Sequence, residues 1–365
     1  MRATLVASLV LSSSVLLACG GAEPPTPAPP PPPPVAAPPA PVASAASTDT
    51  APAAAPAMTP DEAKKAKAKK ELDEDRAKWQ EASNAELARW TPDLRGQATK
   101  LAGATYPSLQ AAMKAILPSP VRVPGDAARD KYRHPAETLA FFGIKPSMTV
   151  LEIGPGEGWY SELLAPMLAS KGKLIDTSGD PHGPADSRGT FYAQRWAAFL
   201  SKSPELFGKV QTVVIDGKAP NLSAVPAGSL DAVLVMREVH GMVNGNTFNT
   251  WLSECRRALK PNGILGIEEH RAKDGADPVE SSKKGYVPQQ YVIDTVQAAG
   301  FKLAGQSEIN ANPKDTKDYP EGVWALPPTY ERGDKDKDAL TAIGESDRMT
   351  LKFTKAPDGW TPPKK

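Results

Sequence analysis

From about residue 120 the apolar positions of this chain fall into two alternating patterns. His134-Pro135-Ala136-Glu137 opens a helical stretch that runs through Leu139, Phe141 and Phe142 and stops at Gly143, with His134 as its expected cap. Thr149-Val150-Leu151-Glu152-Ile153 is then nearly continuous in apolar residues, the pattern of a strand buried in a parallel sheet. A glycine-rich turn and a helix around 160–168 follow. Further strands are predicted at 173–176, 210–216, 231–236 and 264–268. Helical stretches separate them, notably 247–259, which runs into Lys260-Pro261-Asn262-Gly263. After a helix near 289–299 come two strands, 301–309 and 349–354, with no helical pattern between them. The alternation predicts an α/β, Rossmann-like, mostly parallel sheet, and the last pair adds an antiparallel member at one edge.

Ahead of this domain the patterning weakens. Thr59-Pro60-Asp61-Glu62 combines an N-cap threonine, a proline at the first helical position and a glutamate that closes a capping box. The stretch to Trp90 is rich in Ala, Lys and Glu, and Leu72, Trp79, Leu87 and Trp90 are too sparse for a full buried stripe. It predicts a solvated stalk whose last turns dock on the globular part. Residues 19–58 hold 14 of the 39 prolines, no aromatic residue, and only Glu23 and Asp49 as charges. With nothing to bury, such a segment is expected to be a disordered tether favouring extended polyproline II. The predicted organisation is therefore a leader (1–18), a tether (19–58), a stalk and connector (59–119), the α/β domain (120–356) and a tail (357–365).

The leader changes the expected location. Met1-Arg2 precedes an apolar run from Leu5 to Leu17, too short to span a bilayer but suited to the core of a signal peptide. Leu16-Leu17-Ala18-Cys19-Gly20 resembles the bacterial lipoprotein signal, in which cleavage precedes a cysteine that carries the lipid. The resemblance implies lipid attachment at Cys19 and a lipid-anchored place in the bacterial cell envelope. Cys255 is the only other cysteine, so no internal disulfide is then expected. Lys plus Arg number 43 against 42 for Asp plus Glu, and this balance gives no counterion-release drive toward nucleic acid.

The first chemical signal is Gly154-Pro155-Gly156-Glu157-Gly158, between a strand and a helix. Glycines let backbone approach a bound group, and the helix start adds N–H donors. The spacing is not G-x-G-x-x-G, and no G-K-[ST] follows, which excludes the dinucleotide fingerprint and the P-loop. With Glu152 the run reads E-x-G-x-G-x-G and resembles the first motif of class I S-adenosylmethionine-dependent methyltransferases. Arg129–Thr138, Gly158-Trp159-Tyr160, Leu259–Gly263, Asn312–Asp318 and Asp347–Phe353 resemble a subgroup of predicted, functionally undefined bacterial members. The likeness covers roughly residues 120–356. It implies a seven-stranded sheet with an antiparallel last strand, S-adenosyl-L-methionine as cofactor, and cofactor contacts from Glu152, Gly154, Gly156, Gly158, Asp176 and Asp216. Asp180 competes with Asp176 for the ribose, because 177–182 is irregular.

Methyl transfer is an in-line displacement that needs positioning and, for a protonated acceptor, a base. His240, following the fourth strand, is the first candidate base, and Glu238 the second; the alternative for His240 is a structural role. Asp216, His240, Glu268, Glu269 and His270 are suitable metal-ligand types, but no close spacing such as H-x-x-x-H appears, and no metal is expected. Trp159 and Tyr160 are either a wall of the ligand site or ordinary core. Residues 310–346, a long insertion carrying Trp324 and Tyr330, read as a lid or substrate-selecting wall. Two functions follow. One is a methyltransferase acting on a small molecule or a cell-envelope component. The other is a non-catalytic, envelope-anchored binding module that retains the fold.

Overall fold

A computed structural model describes residues 59–362. The leader, Cys19 and the Pro/Ala-rich segment lie outside the described residues. The helices in chain order are α1 (Pro60–Arg89), α2 (Pro92–Gly103), α3 (Leu109–Ile116), α4 (Asp130–Arg133), α5 (Pro135–Phe142), α6 (Ser161–Leu168) and α7 (Arg188–Ser201). They continue as α8 (Pro204–Phe207), α9 (Val239–Asn244), α10 (Phe248–Ala258), α11 (Pro278–Ser282), α12 (Gln289–Ala298) and α13 (Lys337–Ile343). The strands are β1 (Thr149–Ile153), β2 (Lys173–Ser178), β3 (Gln211–Val214), β4 (Leu230–Met236), β5 (Leu259–His270), β6 (Phe301–Ser307) and β7 (Arg348–Lys355).

One seven-stranded sheet has the order β3-β2-β1-β4-β5-β7-β6, the Rossmann-like methyltransferase arrangement. β7 runs antiparallel to both neighbours, β5 and β6, and the other pairs are parallel. The strand order reverses at β1/β4, so a crevice opens beyond their carboxyl ends, where ligands bind in open α/β sheets. Side-chain alternation distributes β1 between two cores. Leu151 and Ile153 join the layer of α10 and α12, whereas Val150 joins the layer of α2, α3 and α6.

Three boundaries differ from the sequence reading. β2 continues past Asp176 to Ser178, β3 stops at Val214, and β5 begins at Leu259. The β5 start is irregular: pairing with β4 shifts between Leu230 and Ala232, and Asn262 has φ 58°. Asn262 thus supplies the left-handed residue that its position demands. His134 stands at the start of α5 with φ 39°, and only its carbonyl serves the helix, accepting from the Thr138 N–H; its side chain makes no cap.

The capping box of α1 forms as expected. The Thr59 N–H donates to Glu62 Oε2 at 2.8 Å, and the Glu62 N–H donates to Thr59 Oγ1 at 3.3 Å. Docking is not confined to the last turns. Leu72 is buried, Arg188 bonds Asp75 at 2.6 Å, Arg76 bonds Gln194 at 2.9 Å, and Trp79 meets Phe191 edge-on at 5.8 Å. Half of α1 therefore lies along α7. Among the described residues no helix is long and apolar enough to cross a membrane.

Candidate active site

The glycine turn joins β1 to α6, and all three glycines have positive φ: 62° at Gly154, 58° at Gly156 and 81° at Gly158. Their surroundings separate their roles. A Cβ on Gly154 would lie 2.6 Å from the Glu238 carboxyl carbon, and one on Gly158 would lie 2.2 Å from Phe199 Cζ. A Cβ on Gly156 would meet nothing within 4 Å. Gly156 faces open space, Gly154 admits Glu238, and Gly158 admits the ring beneath the turn. The Gly154 N–H donates to Thr177 Oγ1 at 3.1 Å, which ties the turn to β2.

That open space is a cavity of about 790 Å³. Gly154, Gly156, Thr177 and Ser178 form one wall, Ile215 and Gly217 another, and Glu238 and Met242 a third. Its size is that of a site for a nucleoside-sized ligand. Trp324 and Thr329 from the insertion also line it. A second cavity of about 580 Å³ lies between α1 and α7, and both cavities touch Gly156, Glu157 and Arg195.

The acidic residues expected at the cofactor are placed otherwise. Glu152 shares the Val150 face of β1, does not line the cavity, and accepts from Ser161 Oγ at 2.6 Å. Burial pushes its carboxyl up to about 8, against the opposing Ser161 bond. It braces the start of α6 from below. Asp176 is fully buried on the Leu174 side of β2, where Trp196 Nε1 donates to Oδ1 at 3.1 Å and Oδ2 has no partner. Burial lifts it to about 6, with Thr212 and Trp196 opposing. The two extra residues of β2 explain the difference: Ser178, not Asp176, reaches the strand end. Asp180 is exposed and accepts from the His182 N–H. Asp216 lies past β3 between two lining residues, but its carboxylate accepts the Lys218 N–H at 2.9 Å in its own turn. None of these four carboxylates lines the cavity.

The β4 and β5 ends carry the charged part of the site. Arg237 follows β4 with φ 63°, a strained conformation for a long side chain. It donates to Glu268 Oε2 at 3.0 Å. Glu238 lines the cavity against Gly154, and burial pushes it up to about 7, with His240 opposing, Glu269 adding and Arg237 opposing. His240 does not line the cavity. Its Nδ1 lies 3.2 Å from Glu269 Oε1, its N–H donates to Glu269 Oε2 at 3.1 Å, and its ring stands 6.0 Å from Trp324. Burial would lower the His240 pKa, but the Glu269 carboxylate outweighs it and raises the value.

Trp159 and Tyr160 are core: Trp159 Nε1 donates to the Asp126 carbonyl, Tyr160 Oη donates to Glu268, and neither lines the cavity. Sequence reasoning missed Thr177, Ser178 and the meeting of His240 with Glu269. The last is a contact between neighbouring strand ends with no local spacing to announce it.

A family model described as a methyltransferase domain matches residues 127–303. A curated relative, Ribosomal RNA large subunit methyltransferase E of Stutzerimonas stutzeri (strain A1501), is 25% identical over 138 residues, 37% of this chain and 60% of that protein. The match thus spans less than two thirds of the relative. A SAM-dependent methyltransferase from Aquifex aeolicus is 18% identical, over 67% of this chain and 97% of its own, with a TM-score of 0.41. An arsenic(III) S-adenosylmethionine methyltransferase from Chlamydomonas reinhardtii is 14% identical, over 68% and 75%, also with a TM-score of 0.41. Residues 127–303 thus match a methyltransferase-domain family, in agreement with the strand order and the glycine turn, and the cofactor of that family is S-adenosylmethionine.

Proposed function

We propose that the chain is an S-adenosylmethionine-dependent methyltransferase acting on a small molecule or a cell-envelope component. The observation that carries this reading is the cavity beside Gly156, where backbone without side chains fronts open space at the β1/β4 switch point. The residues present fit the cofactor. Gly154 and Gly156 offer close backbone approach, and Thr177 and Ser178 offer hydroxyls in place of a carboxylate at the β2 end. The bound cofactor supplies an electrophilic methyl group; the protein has to position the acceptor and accept its proton. Glu238 lines the cavity and takes the role of base, while His240 stands behind it. Trp324 and Met242 bound the acceptor side, so the insertion selects the substrate. The balanced charge of the chain favours a small or envelope acceptor over nucleic acid.

In this reading the lipoprotein leader delivers the domain to the bacterial envelope and Cys19 carries the lipid. A second reading, a binding module without catalysis, draws support from the absence of a carboxylate among the cavity-lining residues at the β2 and β3 ends. Calorimetric titration of the purified chain with S-adenosylmethionine tests both. Micromolar binding, with transfer of labelled methyl groups into an envelope extract, is expected. Binding without transfer into any fraction supports the module, and no heat at millimolar cofactor sinks the methyltransferase reading. Fatty-acid labelling of the wild type and not of Cys19→Ser tests the anchor.

A further inference from the structure

We propose that His240, Glu269 and His270 form a binding site for one divalent transition-metal ion beside the cofactor cavity. The sequence expectation was no metal, because the three residues have no ligand-like spacing. The fold supplies what the spacing lacks. β4 and β5 are parallel neighbours with Met236 opposite Glu268, so the first turn of α9 and the last residues of β5 meet. One nitrogen of each ring and one oxygen of Glu269 lie within 4.8 Å of one another. Ligands bonded to one ion at about 2.0–2.2 Å stand at most about 4.4 Å apart, so small side-chain rotations close the site. No other group of three such residues occurs among the described residues.

The donors are held for the task. Ser346 Oγ lies 2.5 Å from His270 Nδ1, which fixes the ring and leaves Nε2 for an ion. The Glu269 side chain is fully buried, and its two oxygens receive the His270 N–H at 2.7 Å and the His240 N–H at 3.1 Å. These contacts set the carboxylate between the two imidazoles. Partners of this kind orient ligands in metal sites. Two guanidiniums, Arg237 and Arg348, act on the imidazoles, but each is engaged by another carboxylate. Glu268 engages both Arg237 and Arg348, so neither guanidinium pairs with Glu269, and Glu238 adds a further carboxyl close by. Two imidazoles and one carboxylate suit Zn²⁺, Co²⁺ or Fe²⁺ better than Mg²⁺ or Ca²⁺, and three ligands leave positions open.

Glu238 and Gly241 line the cavity on either side of His240, so an ion here lies on the acceptor side. Its use there, drawing an acceptor hydroxyl toward ionisation, rests on the methyltransferase reading. Its binding does not.

The full chain, stripped with a chelator and titrated with Co²⁺, tests the site. One equivalent should produce visible d–d absorption that Zn²⁺ displaces, and Zn²⁺ should raise the thermal midpoint. His270→Ala and Glu269→Gln should abolish the absorption, and Ser346→Ala should weaken binding about 10–100-fold. His240→Gln, which keeps a polar side chain, guards against a variant that fails to fold, and circular dichroism is read on each. A folded wild type with neither absorption nor a Zn²⁺ shift at millimolar metal overturns the site and leaves a Glu269–His240 proton relay. Retention of Co²⁺ binding in folded His270→Ala and Glu269→Gln overturns it equally. S-adenosylmethionine binding, measured on the same samples, separates failure of this site from failure of the proposed function.

Discussion

The two halves of the crevice are built from different materials. On the β1–β2 side the wall is mainly backbone and hydroxyls: Gly154 and Gly156, both with positive φ, Thr177 and Ser178. On the β4–β5 side Glu238 lines the cavity, and behind it lie the charged and titratable side chains of Arg237, His240, Glu268, Glu269 and His270. The first half is shaped to hold a ligand, and its lining carboxylate, Glu157, is paired with Arg195. The second half is where protons and cations can be handled. In the proposed function, recognition and chemistry thus fall on opposite sides of one switch point.

The largest effects should separate glycines inside the first half. Gly158→Val would drive a Cβ into the Phe199 ring at 2.2 Å and force a branched residue to φ 81°. A loss of about 3 kcal/mol or more is expected, read as a lowered urea midpoint. Gly156→Val has open space before it and should lose about 1–2 kcal/mol to backbone strain alone. Its side chain would nonetheless fill the place of the ligand, so cofactor binding should vanish while cooperative unfolding survives. A Gly156→Val variant that still binds would break the comparison, since the first half would then not be the recognition side.

Across the crevice, Glu238→Gln should leave cofactor affinity within about twofold and lower labelled methyl transfer by about 10²–10⁴, the contribution of a general base. Loss of affinity with unchanged turnover would assign Glu238 to recognition and dissolve the division of labour.

The same division explains what could be read in the sequence. The sheet was legible because its strands are continuous apolar runs and its helices have their own period; the antiparallel last strand was expected too, but at the sheet edge and with no helix before it, whereas β7 lies between β5 and β6 and follows the short helix α13. The glycine turn was legible because backbone approach leaves a residue type at fixed positions. Strand ends were not. Thr177 and Ser178 are polar yet extend β2, and those two residues carry Asp176 away from the strand end and into the core. The His240–Glu269 contact was equally hidden, because the pairing of β4 with β5, and no local pattern, brings the residues together. Trp159 and Tyr160, read as wall or core, proved to be core because α6 presses them onto α5 and the buried Glu268.

A smaller effect concerns Glu152, under the turn. Burial raises its carboxyl to about 8, so this group favours the folded state most below its unfolded value of about 4.5. That stabilisation is lost as pH rises through about 8. Gln cannot ionise and can still accept from Ser161. Glu152→Gln should therefore match the wild type near pH 5 and exceed it by on the order of a few kcal/mol above pH 8 in urea unfolding. A variant weaker at every pH would show that the ionised form is the one the turn requires.

The smallest effect belongs to Asp216, and it tests how far the β3 end takes part in recognition. Ile215 and Gly217 line the cavity, but the Asp216 carboxylate accepts the Lys218 N–H and is exposed. Asp216→Ala therefore removes a turn contact at the surface, worth about 0.5–1 kcal/mol. Cofactor affinity should fall by no more than about threefold, whereas a direct charge-assisted bond to the ligand would make the loss about tenfold or greater. Calorimetry on Asp216→Ala beside Asp216→Asn distinguishes the cases, because Asn keeps the turn and removes only the charge. Equal, near-wild-type affinities would leave recognition to backbone and hydroxyls; a tenfold loss in both would mean that the loop turns its carboxylate inward when the cofactor binds, and would add one charged group to the recognition side.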